Sequence, residues 1–378
     1  MELRREMAEE KTVIFLSAGD PSGDIAGSLL IKQLRTDNGK FGFIGLGGRR
    51  MHEAGQMQIV DSTRLAVLGF WEVAKKFMFF KKLMSATISL IKENKPKVIV
   101  LIDYPGFNLR LAKKIKTLGI PVVYYVSPQI WAWGKRRITA IKRYVNIMLL
   151  ILPFEKKIYD EAGIANKFIG HYLLDDMDNK YIKAPYDVDS DLVVLMPGSR
   201  PQEVQRMLPT LLDAARLLSS GQNLRFVIAG VKGDIDYDSY IKRSGLPIQV
   251  VFGKTRDLIR ESRLVITSSG TATLETAIIG RPMIVIYKTG LLTYLIARRL
   301  VKLKNIALVN ITAGENIVPE LIQNQATPDS IAREAARFLN DRNLSLDVIN
   351  RLNRLTDSLG SGGVSIRAAE VIGEFIKC

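Results

Sequence analysis

Several short segments pair a turn of small residues with a side chain able to move a proton or hold an anion. Asp103 ends the apolar run Val98–Ile102 and precedes Tyr104-Pro105-Gly106-Phe107-Asn108. A carboxylate at the carboxyl edge of a strand can act as general base on a bound hydroxyl, and the same position also suits a helix N-cap or an ion pair. Pro197-Gly198-Ser199-Arg200 follows the run Leu192–Met196, with Glu203 three residues beyond the arginine. Backbone donors, a hydroxyl and a forked guanidinium together make a diphosphate clamp, although an arginine at a strand end is often only a surface charge. Ser268-Ser269-Gly270-Thr271-Ala272-Thr273-Leu274-Glu275 sits between an apolar run and an apolar helix pattern. A hydroxyl-rich helix start binds phosphate, and Glu275 one turn in can hold a ribose. A capping box on Ser269 or Thr271 explains part of this string but leaves hydroxyls over.

Other stretches suit a sugar, an anion or a lipid surface. In Ser17–Asp24 the turn residues Ser22, Gly23 and Asp24 precede a helix pattern, where free backbone N–H groups can face an anion or a sugar. A tight turn capped by Ser22 or Asp24 is the plainer reading. Gly45–Met51 reads as a second Gly-rich turn. Ser127–Gly134 sets Trp131 and Trp133 beside Lys135, Arg136 and Arg137, an arrangement suited to a phosphorylated sugar ring or, more plainly, to core packing. From Val67 to Met84, Phe70, Trp71, Phe77, Met78, Phe79 and Phe80 interleave with lysines that include Lys81 and Lys82. This reads as an interfacial segment, aromatic side chains entering the acyl boundary and lysines meeting anionic head groups; a buried core helix is the alternative. Leu291–Lys304 adds basic residues to that surface or forms a solvated helix face.

The elements that must position these residues follow from hydrophobic pattern. Short β-branched runs at Thr12–Leu16, Lys97–Ile102, Val122–Val126 and Ile147–Leu152 alternate with helical patterns, as buried parallel strands do. The same beat returns at Leu192–Met196, Arg225–Ala229, Ile248–Phe252, Leu264–Thr267 and Met283–Tyr287. Two α/β units follow, joined by the polar stretch Leu174–Ser190, with ligands expected beyond the carboxyl ends of the strands. The 378 residues carry 54 Lys plus Arg against 38 Asp plus Glu, a net charge of +16 that points to anionic partners. One cysteine, Cys378, excludes an internal disulfide, and two histidines make a His-rich metal site improbable. The N-terminal residues lack a secretory pattern and no apolar run is long enough to span a bilayer, so a cytoplasmic chain with peripheral membrane contact is expected.

Taken in order, the strings resemble the lipid-A-disaccharide synthase family, glycosyltransferases that join two acylated glucosamines. The resemblance is carried by AGDPSGD at Ala18–Asp24, GLGGRRM at Gly45–Met51, LGFWEV at Leu68–Val73, IDYPGFN at Ile102–Asn108 and SPQIWAWGKRR at Ser127–Arg137. It continues through FEKKIYDEAG at Phe154–Gly163, FIGH at Phe168–His171, MPGSRPQEV at Met196–Val204, SSGTATLE at Ser268–Glu275 and IVPELIQNQATP at Ile317–Pro328. The family usually has Glu at Asp20, Pro at Tyr172 and Pro at Val309, departures that bear on loop geometry.

The resemblance implies an α/β fold of the GT-B type, two Rossmann-like domains facing a cleft. Residues 1–173 would hold the acceptor lipid and the membrane, 174–190 would link, 191–360 would bind the donor, and 361–378 would return as a helix to the first domain. The implied reaction moves 2,3-diacylglucosamine from UDP-2,3-diacylglucosamine to the 6-hydroxyl of 2,3-diacylglucosamine 1-phosphate, with inversion and release of UDP. Asp103 would be the base. Gly198, Ser199, Arg200, Glu203 and the turn Ser269, Gly270, Thr271, Ala272 and Thr273 would bind the donor diphosphate, Glu275 the ribose, and Asn310 the donor region. Ser22, Gly23, Asp24, Trp131 and Trp133 are the acceptor candidates. No metal or cofactor is expected, and the implied setting is the inner face of the inner membrane, with a homodimer as a further implication. The rivals are a UDP-N-acetylglucosamine 2-epimerase, a peptidoglycan-precursor transferase and, from another class, a nucleic-acid-binding protein, for which no signature is present.

Overall fold

The computed structural model describes residues 11–36, 39–61, 73–133, 135–221, 223–233, 235–290 and 305–377. By internal contacts the chain divides into two units, Met1–Asp176 with Leu359–Cys378, and Met177–Ser358. The first is built on seven parallel strands: β1 (Thr12–Ala18), β2 (Phe41–Gly47), β3 (Gln56–Asp61), β4 (Val98–Ile102), β5 (Val122–Tyr125), β6 (Ile147–Leu150) and β7 (Asn166–Phe168). Their order is β3-β2-β1-β4-β5-β6-β7, so the direction of winding reverses between β1 and β4. A crevice opens at such a reversal, outside the carboxyl ends of the strands. Ala18 pairs with Ile102 across it, which sets the turns after β1 and β4 side by side.

The second unit repeats the plan with β8 (Leu192–Met196), β9 (Arg225–Gly230), β10 (Gln249–Phe252), β11 (Leu264–Ser268), β12 (Met283–Tyr287) and β13 (Glu320–Ile322). The order is β10-β9-β8-β11-β12-β13, and the reversal falls between β8 and β11, where Met196 pairs with Thr267. Central strands are apolar and buried on both faces: every residue of β4 and β8 is buried. That burial is why β-branched runs without alternation marked them in the sequence.

Gly45–Gly47, read as part of a turn, belong to strand β2, and the turn starts only at Gly48. The glycines serve close approach: a Cβ on Gly45 would lie 2.0 Å from the Leu16 carbonyl oxygen, at a φ of +141° and beside a register shift between β2 and β3. Glycine is required where a strand bulges and a neighbouring backbone crowds it.

Met177–Ser190, most of the polar stretch after the first unit, packs within the second unit. Lys183 N donates to Ile278 O at 2.8 Å, and Tyr181 Oη to Asp257 at 2.7 Å. The fully buried Arg281 guanidinium donates to the carbonyls of Ala184 at 3.0 Å, Pro185 at 2.6 Å and Arg260. The return to the first unit is equally well held. Asp175 accepts from the N–H groups of Gly363 (2.7 Å), Val364 (3.1 Å) and Ser365 (2.7 Å), capping the terminal helix Val364–Lys377, which packs on the helix Pro21–Leu34. Among the described residues no helix is long and apolar enough to cross a membrane.

Candidate active site

In the first unit, Asp103 follows β4 directly, at the reversal of strand order. Asp103 and Tyr104 are both left-handed, with φ of 42° and 49°, a backbone that non-glycine residues adopt at a cost of about 1–2 kcal/mol each. Asn108 holds this strained corner. Completely buried, its Nδ2 donates to the carbonyls of Asp103 (2.8 Å), Ile102 (3.2 Å) and Ser17 (3.2 Å), while its Oδ1 accepts from Ser17 Oγ at 2.7 Å. Tyr124 Oη adds a 2.6 Å hydrogen bond to the Asp103 carbonyl. The Tyr104 ring lies so close to Gly19 that a Cβ there would meet it at 2.2 Å, which explains the glycine after β1.

These contacts leave the Asp103 carboxyl half-buried among acids. Burial first, then the charge of Asp20, push it up to about 7, with Glu155 adding to the rise and Tyr104 N–H and Arg137 opposing it. A carboxyl poised near neutrality is suited to proton transfer at physiological pH. Asp20 stands at the start of the helix Pro21–Leu34, where it accepts from Gly23 N at 2.8 Å. Asp24 does not face outward: it is buried and accepts from Gly48 N (2.8 Å), Arg50 N (3.0 Å) and Met51 N (3.0 Å). Its carboxylate thereby anchors the two turns to each other. Ser22 lies one residue before Gly23 at the rim of the same corner.

Trp131 is half-buried, packed edge-on against Phe154 with centroids 5.7 Å apart, and its Nε1 donates to Glu155 at 3.2 Å. Trp133 closes the short helix Ile130–Trp133, and its side chain lies outside the described residues. Arg137 reaches back to the Pro128 carbonyl at 2.7 Å, and Ser127 Oγ meets Tyr159 Oη at 2.9 Å. Burial pushes the Glu155 carboxyl to about 7, against the opposing hydrogen bonds of Ser127 and Trp131. Asn108 and Glu155 both stand in strings singled out in the sequence, yet residue type alone does not tell a buried polar group from an exposed one.

In the second unit the turns after β8 and β11 adjoin at the other reversal. Gly198 has a φ of +141°, and a Cβ there would come 2.5 Å from that of Glu203. Glu203 accepts from Ser199 N at 2.9 Å and Ser199 Oγ at 3.3 Å, so it shapes the turn from inside and is not itself placed to hold an anion. Arg200, 60% exposed, lies 3.5 Å from Glu203 at the start of the helix Pro201–Ser219. Gly270, at φ +150°, precedes the helix Thr271–Ile279 with no side-chain cap, so the positive end of that helix is left to backbone N–H groups. Thr271 and Ala272 open the helix at half-exposed positions. Ser269 Oγ donates to Ile306 O at 3.1 Å, and Thr273 is buried with its hydroxyl on Gly270 O at 2.8 Å. Glu275 pairs with Arg256 at 2.9 Å.

Asn310 lies elsewhere. Fully buried, it donates to Val318 O and Glu320 at 2.8 Å each and accepts from Ile317 N (2.8 Å) and Val318 N (3.1 Å). Its amide pins the segment before β13. Lys288, which the sequence did not mark, follows β12, donates to Thr210 at 2.8 Å and has its pKa lowered by burial. A lone lysine after an apolar run carries no pattern to read.

The aromatic and lysine stretch enters the helix Val73–Asn94. Met78 (56%) and Phe79 (36%) are exposed beside the exposed Lys81 and Lys82. Phe80 packs instead against the core, because Phe80, Leu83, Met84, Thr87, Ile88 and Ile91 recur at helical spacing and form the inward stripe. Phe70, Trp71, the Phe77 side chain and 291–304 lie outside the described residues. Among the described residues no cluster of three His, Cys, Asp or Glu side chains is fit to hold a metal ion.

The family model described as lipid-A-disaccharide synthetase matches residues 14–358, strands and both reversals included. The chain belongs to the lipid-A-disaccharide synthetase family. A relative named lipid-A-disaccharide synthase from Trichlorobacter lovleyi is 42% identical over 373 residues, covering 96% of this chain and 97% of the relative. Solved structures bear on the fold alone. A putative UDP-N-acetylglucosamine 2-epimerase from Listeria monocytogenes superposes with a TM-score of 0.68 at 13% identity, covering 96% of each chain. The glycotransferase of kitacinnamycin gives 0.68 at 14%, covering 97% of this chain and 99% of its own. The fold is therefore of the GT-B type, and lipid-A-disaccharide synthetases are glycosyltransferases, so the chain is one as well.

Proposed function

We propose that the chain transfers 2,3-diacylglucosamine from UDP-2,3-diacylglucosamine to the 6-hydroxyl of 2,3-diacylglucosamine 1-phosphate, inverting the anomeric carbon and releasing UDP. Asp103 takes the proton from the attacking 6-hydroxyl. Ser22, Gly23 and the indole of Trp131 bind the acceptor beside it, with Trp133 in the same segment. The observation that carries this reading is Asp103 itself: a carboxyl raised to about 7, on left-handed backbone held by a buried amide, at the reversal of a parallel sheet. Strain concentrated at a polar corner is characteristic of a reacting centre.

The donor diphosphate binds in the second unit. The backbone N–H groups at the helix start Gly270–Ala272 and the guanidinium of Arg200 take up the charge that builds on UDP as the glycosidic bond breaks, while Gly198, Ser199, Ser269 and Thr273 shape the two turns. Glu275 meets the ribose by exchanging part of its pairing with Arg256. Met78, Phe79, Lys81 and Lys82 meet an anionic bilayer surface from which both lipids are drawn. The test is mass spectrometry of products from the two purified lipids, with the parent protein and Asp103→Asn. A tetra-acylated disaccharide 1-phosphate from the parent alone is the expected result, and equal product from both proteins removes Asp103 as the base.

A further inference from the structure

Glu155 has no part in the transfer as described, yet it is a carboxyl buried to 1% exposure next to the reacting corner. Its Oε1 accepts from Trp131 Nε1 at 3.2 Å, and Ser127 is the other side chain whose hydrogen bonding opposes the effect of its burial. Burying a carboxyl is costly even with such partners, and a leucine would fill the space at lower cost. What a leucine lacks is an acceptor for the indole N–H. Trp131 needs one, because the segment that carries it is entered through left-handed Val126 (φ 66°) and Gln129 (φ 46°) and lies outside the strand ladder. Phe154 supplies one restraint, an edge contact at 72° to the indole, which allows the ring to slide. The hydrogen bond to Glu155 fixes the remaining freedom.

We propose that Glu155 is a positioning residue: by accepting from Trp131 Nε1 it sets the plane of the indole against the acceptor sugar. The assignment rests on the reading of Trp131 as an acceptor contact. It makes Glu155 a determinant of acceptor binding and not of the bond-breaking step. Gln at this position keeps an oxygen for the indole, whereas Leu does not.

The experiment compares kcat and the KM for each lipid in Glu155→Leu, Glu155→Gln, Trp131→Phe, Trp131→Leu and the pair Glu155→Leu with Trp131→Phe. Trp131→Phe cuts the same hydrogen bond from the other side and leaves Glu155 in place, so the test survives a Leu variant that does not fold. Glu155→Leu and Trp131→Phe should each raise the acceptor KM about five- to tenfold, as loss of one buried hydrogen bond does, with donor KM and kcat little changed. Glu155→Gln should restore the parental acceptor KM, and the pair should be no worse than the worse single variant. Parental acceptor KM in Glu155→Leu or Trp131→Phe, or additive effects in the pair, overturns the proposal while a raised KM in Trp131→Leu still upholds the acceptor contact. An unchanged acceptor KM in Trp131→Leu overturns both.

Discussion

Replacing Asp103 with asparagine should abolish most activity and yet make the protein more stable in mildly alkaline solution. Burial and the Asp20 charge raise the carboxyl from its ordinary 3.8 to about 7. Between those values the folded chain holds a proton that the unfolded chain has lost, so stability falls as pH rises and is level above about 7. At about 1.4 kcal/mol per pH unit, the rise from 3.8 to about 7 costs at most roughly 4 kcal/mol by pH 8. Asparagine has no charge to bury and is among the residues that best tolerate the left-handed φ of 42° found here. Glu155, raised to about 7 by its own burial, titrates in both proteins and largely drops out of the comparison. In urea unfolding, the advantage of Asp103→Asn should therefore widen by about 2–3 kcal/mol between about pH 5 and about pH 8. Turnover should fall about 10²- to 10⁴-fold, the usual worth of a general base. A stability difference that stays constant with pH would refute the raised carboxyl, and parental turnover would refute its role.

Asn108→Ala removes a donor to three carbonyls and the acceptor for Ser17 Oγ, and should cost about 2–4 kcal/mol in urea unfolding, since part of that set keeps other partners. Turnover of the folded fraction should drop too, because the left-handed corner loses its clamp. Arg200→Ala should leave the melting temperature unchanged, its side chain being 60% exposed, while raising the donor KM about tenfold in a UDP-release assay. Asp175→Ala uncaps the terminal helix at three N–H groups and should lower stability by about 1–2 kcal/mol in thermal unfolding, with kinetic constants near those of the parent.

The two-unit α/β plan was legible because its central strands are buried on both faces and so read as unbroken apolar runs. The four strands the pattern left out have physical reasons for silence. β3, β7 and β13 are sheet edges, short or polar, and β2 is interrupted by glycines that serve packing. The placement of candidate residues was legible where a turn must follow a strand, as at Asp103, Arg200 and Gly270. Their contacts were not legible where an outward side chain and an inward one use the same residue type. Asp24, Glu203 and Asn310 all carry polar side chains in functional-looking strings, and each is spent on backbone N–H or carbonyl groups within its own unit. Phe80 shows the same ambiguity in an apolar residue: only the helical register with Leu83 and Thr87 turns it inward.

Both units offer the same address, the reversal of a parallel sheet, and furnish it with opposite charge. The first buries Asp103 beside Asp20, with Glu155 also nearby, and burial followed by the Asp20 charge raises the Asp103 carboxyl to about 7 against the pull of Arg137. At its turns the second places Arg200 and a helix start whose N-cap, Gly270, has no side chain, with Glu203 turned inward to shape the loop. Inverting transfer from a nucleotide sugar asks for this division, because a proton leaves the acceptor oxygen while negative charge gathers on the departing diphosphate. If both demands met on one unit, cations able to hold the diphosphate would also pull the Asp103 carboxyl back toward its ordinary value and weaken it as a base. In the proposed reaction, separating them onto two copies of one fold lets each sheet reversal keep the electrostatics that its own step requires.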